Sequence, residues 1–368
     1  MKNFTKPNWD NCNLNISATL AEFLGAPNKN ATLPILKEEL SKNYKNVVFI
    51  CLDGFGIYPI KKNLKPTAFL RKNIVKTLTS TFPSTTTNAT TSLICNLKPM
   101  EHGWFGWSLH FNEINQNVDI YLKANSLTGQ KVDFDYPLAD NSNCYFDNAN
   151  TEYNITPILP SYVQTKCKNK IVISNEEELC NSINEVCKKE GKQFIYAYYP
   201  DPDSTMHEFG VSSIEAKQKI NYINNKIEEL YNGVQDTLFI ITADHGHIDV
   251  KGYIEFYNDL EINSLLSCPP YLDARTPAFI VKKGKEKEFE EKFNKKYSKD
   301  FKLFKSEDLI NQNYFGETNK YGYLLGDYIA IGTYTNKMFL PHKNMPKFKG
   351  HHTSLTDEML VPLILLKK

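Results

Sequence analysis

The chain has 368 residues, of which 41% are hydrophobic and 12% aromatic, enough for one large α/β domain with insertions or for two domains. Its net charge of +1 argues against nucleic acid or an anionic membrane as the main partner. Arg71 and Arg275 are its two arginines, so side chains that clamp a phosphate in bidentate fashion are scarce.

Neither a secretory signal nor a membrane span is predicted. The stretch MKNFTKPNWDNCNLN has no apolar core, and nowhere do about eighteen apolar residues run together. The cysteines form no CxxC pair, and Cys51 and Cys95 lie in apolar runs, which indicates buried thiols in a reducing compartment. We therefore expect a cytoplasmic protein with no membrane contact and no stable nucleic-acid partner.

Three apolar runs predict buried strands that stop at acidic or glycine-rich turns. NVVFICL covers residues 46–52 and stops at Asp53, QFIYAYY stops before Pro200, and TLFIIT ends near Asp244. These runs are apolar throughout rather than alternating, which is typical of strands covered on both faces.

Helices are predicted between these strands. SNEEELCNSINEVCKKEGK opens with a capping-box pattern at Ser174 and Glu177, and SSIEAKQKINYINNKIEELYNG repeats it at Ser212 and Glu215. Alternating strands and helices predict an α/β fold with a mainly parallel central sheet and helices on both faces.

Two segments interrupt this alternation. Residues 104–164 are rich in Asn, Asp and Tyr, and residues 251–345 carry elements of their own, including AFIVKK and the charged helix KGKEKEFEEKFNKKY. We interpret them as a cap-like insertion and an inserted subdomain within a single catalytic domain that covers residues 1–368.

Carboxylates and imidazoles follow the predicted strands. Asp53 follows the first strand, Asp203 and His207 are four residues apart after the second, and Asp244 and His245 follow the third. Ligands of open α/β sheets bind beyond the carboxyl ends of the strands, and a spacing of four puts two side chains on one helix face. Oxygen and nitrogen donors without thiolates suit divalent metals such as Zn²⁺.

A hydroxyl-rich stretch, TFPSTTTNATTS at residues 81–92, contains candidate nucleophiles. With LDGFG, EHG, PDSTMHEFG, ADHG and GHHTSLTDEMLVP it forms an ordered set of motifs that resembles the alkaline phosphatase superfamily. The chain is most similar to its type I phosphodiesterase/nucleotide pyrophosphatase branch, over residues 46–365. The resemblance implies an alkaline phosphatase-like fold, a hydrolase of phosphoric ester bonds, and two divalent metal ions, with Zn²⁺ expected and Mn²⁺ as the alternative.

The resemblance also assigns the metal ligands. One ion would be held by Asp53, Asp244 and His245, and the other by Asp203, His207 and His352. Asp203 is favoured over Asp201 because the family's acid stands four residues before its histidine. His352 is favoured over His351 because a small residue and then Ser-Leu follow the ligand in the family; His351 remains the alternative.

The same family pattern selects Thr86 as the nucleophile and as a metal ligand. Thr86 stands four residues after Phe82 and sixteen before His102, as the family pattern requires. His102 itself is expected to be structural. If Ser84 caps the helix that follows, Thr86 lies in its first turn, where the helix dipole favours negative charge. Thr86 would then attack phosphorus and form a phospho-threonine intermediate that water hydrolyses.

The substrate is predicted only as a small phosphorylated molecule, with a nucleotide as one candidate. Trp107 stands where the nucleotide-specific enzymes usually carry Asn, and Trp104 and Trp107 would form an aromatic wall or pack the base of the cap. A threonine nucleophile and the lack of an arginine in any motif favour phosphodiester or pyrophosphate bonds. The alternatives are a phosphomonoesterase and a non-catalytic module that binds metal and a phosphorylated ligand.

Overall fold

The computed structural model describes residues 4–353 and 355–368; residues 1–3 and Ser354, which belongs to the C-terminal motif, lie outside the described part. The strands are β1 (Asn46–Leu52), β2 (Ile74–Thr79), β3 (Ser108–Phe111), β4 (Gln116–Asp119), β5 (Ala124–Asn125), β6 (Asn154–Leu159), β7 (Ile171–Val172), β8 (Gln193–Tyr199), β9 (Thr237–Thr242), β10 (Ile248–Asp249), β11 (Gly252–Glu255), β12 (Tyr271–Leu272), β13 (Pro277–Phe279), β14 (Phe301–Lys305), β15 (Tyr328–Gly332), β16 (Lys337–Leu340), β17 (Gly350–His351) and β18 (Leu360–Lys367).

Helices connect these strands. They are α1 (Leu14–Phe23), α2 (Pro34–Leu40), α3 (Ile57–Asn63), α4 (Phe69–Lys72), α5 (Thr86–Cys95), α6 (Pro99–His102), α7 (Glu176–Lys188), α8 (Asp203–Phe209), α9 (Ile214–Gly233), α10 (Leu260–Asn263), α11 (Glu286–Tyr297), α12 (Ser306–Asn311) and α13 (Thr356–Met359), with short 3₁₀ turns at Tyr145–Asn148, Phe256–Asn258 and Gly322–Leu325. Among the described residues, no helix has the length and apolar character needed to cross a bilayer.

The central sheet has the order β2-β18-β9-β1-β8-β6-β7. Strands β9, β1, β8, β6 and β7 are parallel neighbours, whereas β18 runs antiparallel to both β2 and β9. The predicted α/β architecture around a central sheet is confirmed. The sheet is mixed rather than purely parallel, because the C-terminal strand runs against its two neighbours.

The apolar runs form the core of this sheet. Every residue of β1, β8 and β9 is buried, including the polar residues Asn46 and Thr237 at the starts of β1 and β9. The side chains of these two residues hydrogen-bond to each other, since Nδ2 of Asn46 donates to Oγ1 of Thr237 at 3.1 Å. Burial on both faces is the reason these strands read as continuous hydrophobic runs.

The helix caps differ by one residue from the prediction. The N-cap of α7 is Asn175, whose side chain accepts from the backbone of Glu178, and the N-cap of α9 is Ser213 rather than Ser212. Ser and Asn are about equally good N-caps, so neighbouring candidates are not distinguished by the sequence alone.

A second sheet has the order β14-β15-β13-β12-β3-β4-β5. It joins strands from both predicted insertions, because β3 pairs antiparallel with β12. Strand β6 lies inside the segment 104–164 and pairs with β8 in the central sheet. The predicted domain boundaries remain a prediction, although parts of the two segments share the second sheet.

Candidate active site

Strands β1, β8 and β9 end level with one another. Leu52 of β1 pairs with Tyr199 of β8, and Cys51 pairs with Thr242 of β9. Because the carboxyl ends of parallel strands meet at one edge, the polar residues that follow them are brought together.

The first donor group consists of Asp53, Asp244 and His245, all buried. Nε2 of His245 lies 3.2 Å from Oδ1 of Asp53 and 3.5 Å from Oδ2 of Asp244. The backbone N–H of Gly54 donates to Oδ1 of Asp244, and the hydroxyl of Tyr198 donates to Oδ2 of Asp53. These two hydrogen bonds fix the orientation of both carboxylates.

Thr86 lies beside this first group. Its Oγ1 is 3.3 Å from Oδ2 of Asp53 and 3.2 Å from Nε2 of His245. Thr86 is the first residue of α5, where the backbone N–H groups of the first turn have no partner within the helix. The helix therefore presents positive partial charge to the space around this hydroxyl.

The residue that caps α5 is Thr85, so the prediction of Ser84 is wrong. Thr85 has extended backbone angles, and its hydroxyl donates to Oδ2 of Asp273 at 3.1 Å instead of bonding to the helix. The α5 N-terminus is thus tied to the second sheet, and Thr86 still falls in the first turn.

The second donor group contains Asp203, His207 and His352. Asp203 begins α8, and His207 follows one turn later on the same face. Nε2 of His207 lies 3.3 Å from Oδ2 of Asp203, and Nε2 of His352 lies 3.7 Å from Oδ1 of Asp203. The predicted ligands of the two metals thus lie together in two adjoining groups.

The alternative ligand His351 and the disfavoured Asp201 make other contacts, although the ring of His351 lies 5.0 Å from that of His207. Nε2 of His351 is 3.5 Å from Oδ1 of Asp273, on the side of the second sheet. Oδ1 of Asp201 accepts hydrogen bonds from the backbone N–H and the hydroxyl of Thr205, in the first turn of α8.

The histidines of both groups are oriented by the same kind of contact. In each ring Nδ1 faces a backbone carbonyl, which can only accept, so Nδ1 carries a proton and Nε2 is the nitrogen turned toward the carboxylates. The pairs are His207 with Gly350 at 2.9 Å, His245 with Gly246 at 2.8 Å, and His352 with Ser84 at 2.9 Å. This pattern is typical of metal-ligating histidines.

Buried atoms without partners show that these groups fit a cation. Among the described residues, Oδ1 of Asp203 and Oδ2 of Asp244 accept no hydrogen bond. The donor atoms of Asp53, Asp203 and His245 lie within 4.8 Å of one another, and the same holds for Asp203, His207, His352 and a further residue, His247. Carboxylate oxygens and imidazole nitrogens without thiolates suit Zn²⁺ or Mn²⁺.

The pKa shifts reflect the same excess of buried negative charge. Burial raises the pKa of Asp203 to about 6. Burial and the charge of Asp53 raise the pKa of Asp244 well above its usual value. Burial acts to raise the pKa of Asp53 as well, but the hydrogen bond and charge of His245 outweigh it and lower that pKa. Bound cations would relieve this repulsion between carboxylates.

Comparison with known proteins assigns the family. The family of type I phosphodiesterases/nucleotide pyrophosphatases matches residues 47–344. The chain belongs to this family. The predicted membership and the predicted enzyme class, a hydrolase of phosphoric ester bonds, are confirmed. No curated protein sequence matches the chain.

Solved structures share the fold of this family member at low sequence identity. Murine ectonucleotide pyrophosphatase/phosphodiesterase 5 superposes with a TM-score of 0.63 at 17% identity, covering 86% of this chain and 87% of that one. The human counterpart gives 0.63 at 18% identity, with 87% of each chain covered. Phosphonoacetate hydrolase from Sinorhizobium meliloti gives 0.61 at 12% identity, covering 86% of this chain and 89% of that one.

A cavity of about 1130 Å³ opens onto both donor groups of this phosphodiesterase family member. Its walls include Leu159 and Tyr162 from the segment after β6, and Tyr121 and Leu122 from the second sheet. Apolar atoms form most of its surface, and polar side chains outside the two donor groups line it as well. Such a cavity suits a ligand with a phosphate at one end and an apolar or aromatic body.

The two predicted tryptophans line this cavity but differ in freedom. Trp104 is buried, donates from Nε1 to the carbonyl of Ala139 at 2.8 Å, and packs against Tyr121 and Tyr136. Trp107 is 40% exposed. Trp104 is therefore held in place by its neighbours, and of the pair Trp107 has the more accessible ring.

Neither arginine is free to clamp a phosphate. The buried guanidinium of Arg275 pairs with the buried carboxylate of Glu358 and donates to the backbone of Lys337. Arg71 donates to the backbone carbonyls of Lys61 and Leu64.

Two residues of the site were missed by sequence reasoning. Tyr198 lies in β8 and looks like an ordinary core residue, because its contact with Asp53 comes from a neighbouring strand. His247 follows the DHG motif by one residue and was a visible candidate, but no pattern in the sequence places it near Asp203.

Proposed function

We propose that this enzyme hydrolyses phosphodiester or pyrophosphate bonds at a two-metal site through a covalent intermediate on Thr86. The observation that carries the proposal is the position of the Thr86 hydroxyl, at the N-terminus of α5 and within 3.3 Å of both Asp53 and His245. A hydroxyl so placed lies where positive charge from the helix and from bound ions would coincide.

The chain's charges support two cations. The expected ligand sets are those of the two donor groups, with Thr86 added to the first, and each set contains donors from more than one strand end. Three buried carboxylates would offset only part of the charge of two divalent ions, so the site would stay electropositive toward a phosphate. Two divalent ions bound there would stabilise the threonine alkoxide and the charge on the phosphoryl oxygens.

The reaction then has two displacements. The Thr86 oxygen forms a bond to phosphorus while the bond to the leaving oxygen breaks; the hydroxyl proton passes to Oδ2 of Asp53, 3.3 Å away, and the leaving oxygen takes a proton from solvent. Water next attacks the same phosphorus and gives a proton to solvent, the bond from Thr86 to phosphorus breaks, and the threonine oxygen takes its proton back from Asp53. Tyr198 and Gly54 hold the two carboxylates of the first group in place during both steps.

A diester is favoured over a monoester by the surroundings of the site. Both arginines are engaged elsewhere, and Lys123 and Lys343 are the lysines that line the cavity among the described residues. A diester carries less charge than a phosphomonoester dianion and needs less clamping. Phosphomonoester hydrolysis is the runner-up because those two lysines stand in the cavity wall.

Solved relatives are known with small phosphorus-containing ligands. The murine protein is also known as an inactive variant with a threonine-to-alanine substitution in complex with AMP. The bacterial hydrolase is known in complex with phosphonoformate and with phosphonoacetate. We extend to this chain the expectation of a small phosphorylated substrate, with a nucleotide as one candidate whose base would lie against Trp107.

The test is a comparison of three nitrophenyl esters: a phosphodiester, a nucleotide ester and a phosphomonoester. We expect the diesters to be cleaved faster than the monoester, a chelator to abolish turnover, and Thr86→Ala to lower kcat at least about a thousandfold. Thr87→Ala is the matched control, since Thr87 is buried beside Thr86. Full activity in Thr86→Ala would refute the mechanism, and a preference for the monoester would refute the substrate class.

We also propose a reducing, cytoplasmic location. All eight cysteines lie in the described part of the chain, and none is in a disulfide. Fractionation of cells that express a tagged chain would test this, and recovery from the medium would contradict it.

A further inference from the structure

His247 is buried next to the second donor group and has no role in the mechanism above. Among the described residues, neither of its ring nitrogens makes a hydrogen bond. A buried imidazole without a partner is costly unless something else binds it. We propose that His247 is a direct ligand of the metal in the second group, which would then have three histidines and one aspartate.

The distances support direct ligation. Two ligand atoms on a tetrahedral Zn²⁺ at about 2.0–2.1 Å are separated by roughly 3.3 Å. Nε2 of His247 lies 3.1 Å from Oδ1 of Asp203. The matching distances to Asp203 are 3.3 Å from Nε2 of His207 and 3.7 Å from Nε2 of His352. These three distances bracket the expected separation. The donor atoms of all four residues lie within 4.8 Å of one another.

The contact between His247 and Asp203 is itself informative. The two atoms are 3.1 Å apart, yet neither is in hydrogen-bond geometry with the other. Atoms that approach this closely without bonding to each other are expected where both point at a common third centre.

The pairing of two short strands, β10 and β17, positions His247. His247 immediately precedes β10, and β10 pairs antiparallel with β17, so that Ile248 faces His351. The ladder brings the chain after DHG against the C-terminal histidine motif. Gly350 makes room for the ring, because a Cβ there would lie 2.8 Å from Cε1 of His247.

Four protein ligands would hold the second ion, whereas the first group has fewer imidazoles and carries the nucleophile. Zinc ions at catalytic sites can expand to five ligands, so four protein ligands leave a position for a phosphate oxygen as the fifth. The second ion would therefore be the more tightly held. This inference rests on the proposed function only in assuming that metal binds.

The test uses the full chain with ¹⁵N-labelled histidine, titrated with Zn²⁺. We expect four imidazoles to show metal-shifted nitrogen resonances in the unchanged protein, from His207, His245, His247 and His352, and three in His247→Gln. We also expect the affinity of one of the two ions to fall about tenfold to a hundredfold in His247→Gln. His110→Gln is the control, since His110 is buried in β3 and bonds to Asn117, and it should change neither quantity.

The outcomes are separable from those that test the proposed function. Two bound ions with only three shifted imidazoles in the unchanged protein would overturn the role of His247 and leave the two-metal site standing. Equal affinities in the protein and in His247→Gln would overturn it as well. A protein that binds no Zn²⁺ would refute both this inference and the proposed function.

Discussion

The two donor groups differ in composition and in what surrounds them. The first has two carboxylates and one histidine, His245, and places them against Thr86 at a helix N-terminus. The second has one carboxylate, Asp203, surrounded by imidazoles. In the first group, burial and the charge of Asp53 raise the pKa of Asp244. Under the proposed mechanism, this difference assigns the nucleophile to the first group and the more tightly held ion to the second.

The largest difference in metal affinity is expected between substitutions of the two adjacent histidines, His351 and His352. His352→Gln removes a donor that lies 3.7 Å from Asp203, whereas His351→Gln removes a ring that faces Asp273. We expect the affinity of the second-group ion to fall about a hundredfold or more in His352→Gln and less than about fivefold in His351→Gln. Metal titration monitored by calorimetry measures both, and the reverse order would show that His351 is the ligand.

Metal removal should also lower the free energy of unfolding. Each site loaded at a hundred times its Kd adds about 2.7 kcal/mol to the free energy of unfolding. For a chain of this length that corresponds to about 3 °C in Tm for each site. Thermal unfolding with a chelator and with excess Zn²⁺ provides the measurement. An unchanged Tm would mean that the groups bind no ion strongly enough to matter.

His102 shows what burial does to a histidine without carboxylate neighbours. Burial lowers the pKa of His102 to about 3. Its Nδ1 accepts from the backbone of Trp104 at 3.0 Å, so Nε2 donates to Ser92 at 2.9 Å and the ring must stay neutral. The ring therefore orders the chain after α6 and contacts neither donor group, in agreement with its predicted structural role.

The sign of its pH effect follows from the lowered pKa. The unfolded chain takes up a proton on this histidine below about pH 6.5, and the folded chain does not. Stability should then fall by about 1.4 kcal/mol per pH unit on this account as the pH drops from about 6.5 toward 3. Urea unfolding between pH 7 and pH 5 should show a shallower decline for His102→Gln than for the unchanged protein, because the other buried histidines contribute equally to both. Parallel declines would contradict the assignment.

Much of the central sheet and its polar edge can be read from the sequence. The runs that end at Asp53, Pro200 and Asp244 are strands because continuous apolar segments need cover on both faces, and their ends meet because parallel strands in register end level. The residues predicted as ligands consequently lie together, although their binding of metal remains a prediction.

Other features depend on contacts that no local pattern encodes. The second sheet joins β3 and β12, which are more than a hundred residues apart. His247 reaches Asp203 through the pairing of β10 with β17, each only two residues long. The N-cap of α5 is Thr85 rather than Ser84, and the Thr85 hydroxyl is held by Asp273, which follows β12 and lies far away in sequence.

The central claim is that Thr86 forms a covalent bond to phosphorus, and the stereochemistry at phosphorus tests it most directly. A phosphorothioate diester of one configuration would be hydrolysed in ¹⁸O-labelled water and the configuration of the product determined. Two successive in-line displacements predict net retention of configuration. Net inversion would show that water attacks the substrate directly and would contradict the role of Thr86 as nucleophile.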